Sequence, residues 1–162
     1  MNFKRISTLA LGLILGLTSA ATAFAHGDEH DKGQEADVYG VAGDTAKVSR
    51  IIELDASDAM RFSKADIKVR KGETIRFIIT NIGKVRHEFS LGTKKELLEH
   101  YELMKKFPDM VHEEANKVTL DPGQKGEVIW KFTKAGVVDF ACLHPGHYDA
   151  GMKGQIKVSK GS

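Results

Sequence analysis

The sequence predicts an all-β sandwich with one inserted helix, and three observations carry that expectation. Short apolar-alternating runs recur between turn residues from Lys47 to Ser159. Only the stretch Thr93–Phe107 changes to helical spacing. There is no regular alternation of strand and helix, which argues against an α/β fold. About seven or eight short strands at this spacing suit two packed sheets.

The elements follow in order. Lys47–Leu54 reads as a first strand, with Val48, Ile51, Ile52 and Leu54 apolar. Asp66–Arg70 is a second, ending at the turn Lys71-Gly72-Glu73. Thr74–Thr80 alternates, with Ile75, Phe77 and Ile79 on one face. Asn81-Ile82-Gly83-Lys84 is a turn, and Val85–Leu91 is the next strand, carrying His87. Leu97, Leu98, Tyr101 and Met104 then share a helical face among Lys and Glu, and Pro108 ends the helix. Residues 109–116 are irregular. Lys117–Leu120 is a strand, Asp121-Pro122-Gly123 a turn, and Glu127–Thr133 places Val128, Trp130 and Phe132 on one face. Lys134-Ala135-Gly136 turns into Val137–Cys142, and Gly154–Ser159 closes the domain.

The N-terminus reads as a secretory signal over residues 1–25. Lys4 and Arg5 precede an apolar run from Ile6 to Leu17, and Ala23-Phe24-Ala25 is a small-residue cleavage site. The run is short of the ~20 residues a membrane span needs, so no stable membrane insertion is expected after cleavage. The expected location is the periplasm. Residues 26–45 carry six acids and one base and read as a flexible acidic leader, leaving 46–159 as the folded domain. The whole chain has a formal net charge of +2. That balance gives no sign of nucleic acid binding.

The chemistry concentrates where Cys142, His147 and Met152 are spaced C-x4-H-x4-M. A thiolate, an imidazole and a thioether on one tight loop form a soft ligand set that suits copper better than zinc, calcium or magnesium. Pro145-Gly146 turns the chain so that His147 returns to the metal bound by Cys142, and Gly151 makes room for Met152. The fourth ligand must come from elsewhere, and His87 is the best candidate. Cys142 is the only cysteine. In an exported chain a lone thiol is a buried apolar group, half of an intermolecular disulfide, or a metal ligand. Metal ligation explains both its isolation and its neighbours.

Cys142-Leu143-His144-Pro145-Gly146-His147, followed by Ala150-Gly151-Met152-Lys153-Gly154, resembles the copper loop of the cupredoxins, the plastocyanin/azurin family of blue-copper proteins. It is similar to the loop of azurin- and auracyanin-like members. His87 in its Val-x-His-x-Phe strand adds independent support, and the resemblance covers roughly residues 46–159. It implies a Greek-key β-sandwich with one inserted helix and one type 1-like copper ion per chain. It makes His87, Cys142 and His147 the equatorial ligands and Met152 the axial one. It also implies that the His147 ring edge reaches the surface as an electron port. Two residues depart from the family pattern. Glu88 stands where many members have an Asn that ties the two copper-binding segments together. His144 stands where azurin-like members have an aromatic; it is either a surface residue or a modifier of the copper environment.

Other histidines and methionines admit further copper binding. His100 and Met104 lie one helical turn apart, with Met110, His112 and Met60 as further candidates. For Met104 the plainer reading is core packing beside Leu97 and Tyr101. Met110 and His112 have a second reading, as a cover over the copper loop. His26, the first residue after cleavage, has an amine and an imidazole that chelate Cu(II), and His30 is close; a solvated tail is the plainer reading.

The leading functional expectation is an exported mononuclear copper protein acting as a one-electron carrier, Cu(II)/Cu(I), as a monomer with a redox protein partner. The alternative is a periplasmic copper-tolerance protein that binds, sequesters or delivers copper. No Ser-His-Asp arrangement, phosphate loop or paired-carboxylate signature is present, so no enzyme activity is expected. A copper oxidase or nitrite reductase needs more copper centres than one domain of this size supplies.

Overall fold

The computed structural model describes residues 39–108 and 114–161. Its elements are β1 (Val41–Ala42), β2 (Arg50–Ser57), β3 (Arg61–Phe62), β4 (Asp66–Arg70), β5 (Thr74–Asn81), β6 (His87–Gly92), α1 (Lys94–Lys106), β7 (Lys117–Leu120), β8 (Lys125–Lys131), β9 (Gly136–Ala141) and β10 (Lys153–Ser159). One sheet runs β1-β8-β5-β2-β3 and the other β4-β10-β9-β6-β7. The chain crosses between the sheets repeatedly, giving the expected Greek-key sandwich with its helix. Two pairings are parallel, β2 with β5 and β4 with β10.

Alternation drives the packing. Ile75, Phe77 and Ile79 of β5 are fully buried, as their period-2 spacing predicts. They meet Phe89 and Leu91 of β6, Val138 and Phe140 of β9, and Ile156 of β10 in one core between the sheets. Phe89 is its hub, with ring centroids 5.5 Å from Phe77, 5.2 Å from Phe140 and 5.7 Å from Phe62. Truncating one of these rings to Ala costs about 3–5 kcal/mol. The helix starts on a capping box: Thr93 accepts the Glu96 amide, and Glu96 accepts the Thr93 amide. Leu97, Tyr101 and Met104 are buried with Ala141, Leu143 and Tyr148 in a second cluster, while Leu98 stays exposed.

Some expected boundaries shift. The first strand, expected at Lys47–Leu54, runs from Arg50 to Ser57, because Thr45–Lys47 forms a 3-10 turn whose Ala46 amide donates to Asp44 Oδ1 at 2.9 Å. The strand expected at Glu127–Thr133 occupies Lys125–Lys131. The two-residue β3 was not anticipated. Part of the expected acidic leader is built into the sandwich. Tyr39 is buried and stacks on Trp130 with centroids 5.4 Å apart, its hydroxyl donates to Leu91 O, and β1 pairs with β8. An aromatic side chain with a place in the core overrides the polar composition around it. The expected signal segment and the rest of the leader, with His26 and His30, lie outside the described residues, as do Met110 and His112.

Candidate metal centre

The site forms at one end of the sandwich. His87 opens β6, and Cys142 directly follows β9. Between β9 and β10 the chain makes consecutive turns closed by backbone hydrogen bonds. The His147 amide donates to His144 O at 3.0 Å, Ala150 N to Gly146 O at 3.0 Å, and Gly151 N to Tyr148 O at 3.0 Å. The Met152 amide donates to His147 O at 3.0 Å, and the Cys142 amide to Met152 O at 2.9 Å. The backbones of all three sequence-predicted loop residues are thus bonded to one another. Gly146 and Gly151 take left-handed conformations, with φ of 85° and 101°. At Gly151 a Cβ would also lie 2.8 Å from Arg61 Nη1, which donates to Ala150 O and clamps the loop from β3.

The side chains converge. Ligand atoms of His87, Cys142 and His147 all lie within 4.8 Å of one another. Cys142 Sγ is 3.3 Å from His147 Nδ1, and the His87 and His147 ring centroids are 5.1 Å apart. His87, Cys142 and Met152 are completely buried, whereas His147 is half-buried and is the one of the four with solvent access. The Glu88 amide donates to Cys142 Sγ at 3.3 Å, tying β6 to the cysteine. His87 Nε2 lies 3.3 Å from Asp58 Oδ1, while His87 Nδ1 is buried with no hydrogen-bond partner. A buried imidazole nitrogen left without a partner is costly unless something binds it.

The electrostatics agree. Burial pushes the Cys142 thiol up to about 12, the Glu88 carboxylate adds to the shift, and the amides of His144 and Glu88 oppose it. Burial lowers His147 to about 4, with the charges of His87 and His144 adding. His144 is also lowered, by burial and then by Arg86 and His87. At neutral pH the metal-free site therefore holds a protonated thiol beside the neutral imidazoles of His144 and His147. A bound soft cation supplies the charge that burial denies the thiolate. One thiolate and two imidazoles in a water-poor pocket suit a single type 1-like copper ion.

Comparison with known proteins decides the family. The family model described as "Copper binding proteins, plastocyanin/azurin family" matches residues 48–159. The chain belongs to this family. It is 42% identical over 158 residues to the copper-resistant cuproprotein CopI of Rubrivivax gelatinosus, covering 95% of this chain and 96% of that one. It is 34% identical over 164 residues to the protein of the same name from Vibrio cholerae serotype O1, covering 90% of this chain and 96% of that one. The reduced auracyanin of Roseiflexus castenholzii shares the fold, with a TM-score of 0.59 at 21% identity, over 69% of this chain and 98% of the auracyanin. The protein is therefore a copper-binding cupredoxin.

Within this cupredoxin the two departures acquire definite positions. Glu88 is buried, and its carboxylate accepts Ser90 Oγ at 2.7 Å and Thr119 Oγ1 at 3.5 Å, so its described bonds run along β6 and β7 rather than to the copper loop. The tie between the two copper-binding segments comes instead from the Glu88 backbone amide. His144 is not a simple surface residue. Its ring lies 5.7 Å from that of His147, and its Nε2 is buried without a hydrogen-bond partner. Of the candidates for a second copper site, Met60 packs on the main core and Met104 in the helix-side cluster, so these two sulfurs belong to different clusters. His100 sits on the helix, half-buried. Asp58 is a site residue that sequence reasoning missed. It lies 29 positions from His87 in a turn with no motif to mark it.

Proposed function

We propose that this cupredoxin serves copper tolerance in the periplasm. It is exported by a cleaved signal and acts as a monomer without enzymatic activity, and His87, Cys142, His147 and Met152 would hold one copper ion. Held there, the ion is taken out of reach of less protected thiols and imidazoles, for sequestration or hand-over. The observation that carries this reading is the His87–Cys142–His147 cluster in a chain similar, over almost its whole length, to proteins named copper-resistant cuproproteins. Copper supplies one-electron chemistry when bound; the protein's part is to keep the donor atoms in place and exclude water.

The test is growth on graded copper. A strain lacking the gene should stop growing at a lower copper concentration than its parent. Wild-type protein should restore growth, and Cys142→Ser should not. Equal growth of all strains on copper would reject tolerance as the role.

One observation favours a second reading, the one-electron carrier with a redox protein partner. His147 is the half-buried member of the cluster, so its ring edge offers a short path to a docked partner. Under this reading purified protein exchanges electrons with a redox partner without losing copper, and the deletion strain grows normally on copper.

A further inference from the structure

Asp58 lies in the turn between β2 and β3, on the first sheet, yet its carboxylate reaches His87 at the start of β6 on the second. The turn is fixed by the Met60 amide donating to Ser57 O at 2.9 Å and by Met60 in the left-handed region at φ 55°. The carboxylate is anchored on the other side too. The Lys84 amide donates to Oδ2 at 2.8 Å and to Oδ1 at 3.0 Å, and the Val85 amide to Oδ1 at 3.4 Å. Gly83 makes this approach possible, because a Cβ there would lie 2.0 Å from Asp58 Oδ1. Asn81 holds the same turn from inside. It is fully buried, donates Nδ2 to Val85 O at 2.8 Å and Leu120 O at 3.0 Å, and accepts the Gly83 amide at 2.9 Å.

We propose that Asp58 is a positioning residue for the copper site: its carboxylate, pinned by the Lys84 and Val85 amides, fixes the His87 ring in the Nε2–H form and keeps the Nδ1 lone pair for the metal. The inference rests on the reading of His87 as a copper ligand. The chemistry is direct. An ionised carboxylate only accepts hydrogen bonds, so the imidazole nitrogen facing it must carry the proton. A neutral imidazole has one N–H, so the other nitrogen is left with its lone pair. In His87 that other nitrogen is Nδ1, buried and without a partner. Carboxylates that orient a metal-binding histidine in this way change metal affinity by about 10–100-fold when removed. Here the carboxylate also bridges the two sheets, so it links ring orientation to the closure of the sandwich at the copper end.

The experiment separates ring positioning from simple anchoring of the turn. Asp58→Asn is isosteric and keeps an oxygen for the Lys84 amide, but presents an NH2 group to His87 Nε2. Long-range 1H–15N NMR of the metal-free protein at neutral pH reads the His87 tautomer, and competition titration reads copper affinity. Wild type should show His87 as Nε2–H. Asp58→Asn should shift it toward Nδ1–H and weaken copper binding about 10–100-fold. An unchanged tautomer in Asp58→Asn overturns the proposal, even if affinity falls, because Asp58 would then be a turn anchor only. A shifted tautomer with affinity within about twofold of wild type overturns it as well. His87→Ala keeps the underlying reading separate. If that variant binds copper like wild type, the ligand assignment itself fails. If it loses copper while Asp58→Asn behaves as wild type, only the positioning role fails.

Discussion

Tyr101 of the inserted helix donates its hydroxyl to Asp149 Oδ2 at 2.8 Å and accepts the Gly146 amide on the same oxygen at 2.9 Å. The two bonded residues flank His147, so the helix grips the copper loop on either side of its half-buried histidine. The Tyr101 ring packs 5.2 Å from Tyr148, and Lys105 Nζ lies 5.1 Å from its centroid. Burial and the Asp149 carboxylate raise the Tyr101 phenol above its ordinary range, so the hydroxyl remains a donor at any physiological pH.

Tyr101→Phe removes both bonds and leaves the packing intact. The metal-free protein should lose about 1–2 kcal/mol of stability, read by urea denaturation. The absorption band of the copper form should also shift, because His147 is less firmly held. A variant as stable as wild type with an identical band would mean that the helix does not restrain the loop.

The metal-free fold should weaken in mild acid because of His147. The unfolded imidazole takes its proton near 6.5 and the folded one near about 4. Between those values the unfolded chain binds more protons, so stability rises with pH through the window and falls as pH drops through it. Urea midpoints measured across that window should decline toward acid, and His147→Gln should flatten the decline. A slope unaffected by that substitution would assign the acid sensitivity to other groups.

Copper uptake should release a proton from Cys142. The thiol sits at about 12 in the metal-free protein, whereas the ligand is the thiolate. With one proton released, the apparent affinity rises about tenfold per pH unit near neutrality. Calorimetry in buffers of different ionisation enthalpy should count about one proton per copper. A count near zero would mean that the thiol is already ionised before the metal arrives.

Met152→Leu tests the axial assignment. The side chain is fully buried, and a volume-conserving exchange costs less than about 1.5 kcal/mol. The variant should still bind one copper through His87, Cys142 and His147, with a changed absorption spectrum and reduction potential, since the axial ligand tunes both. An unaltered spectrum and potential would remove Met152 from the ligand set.

Local chemistry made much of this protein legible in its sequence. The C-x4-H-x4-M spacing marked the loop residues, and period-2 alternation found the buried face of β5. The helical spacing of Leu97, Tyr101 and Met104 found the inserted helix and its buried face. The residues that restrain the site were not legible, because they act across long separations. Asp58 reaches His87 over 29 positions, Tyr101 reaches Asp149 over 48, and Arg61 reaches Ala150 over 89. Nothing in the immediate neighbourhood of a turn aspartate or a helical tyrosine says which loop the fold will bring against it. Glu88 shows the same limit from the other side. Its position after His87 flagged it, but only the register of β6 against β7, which pairs Glu88 with Thr119, reveals where its carboxylate goes.

The parallel pairing of β10 with β4 joins Gln155–Ser159 to Asp66–Arg70. Every proposed copper ligand precedes that last strand in the chain. A growing polypeptide thus carries all of its donor groups before it has the strand that closes their frame, and such non-local pairing is slow to form. Until β10 docks, β9, which leads directly into Cys142, lacks its neighbour on that side. Maturation of the site therefore waits on the docking of β10, and removal of that strand should be as damaging to copper capture as loss of a ligand.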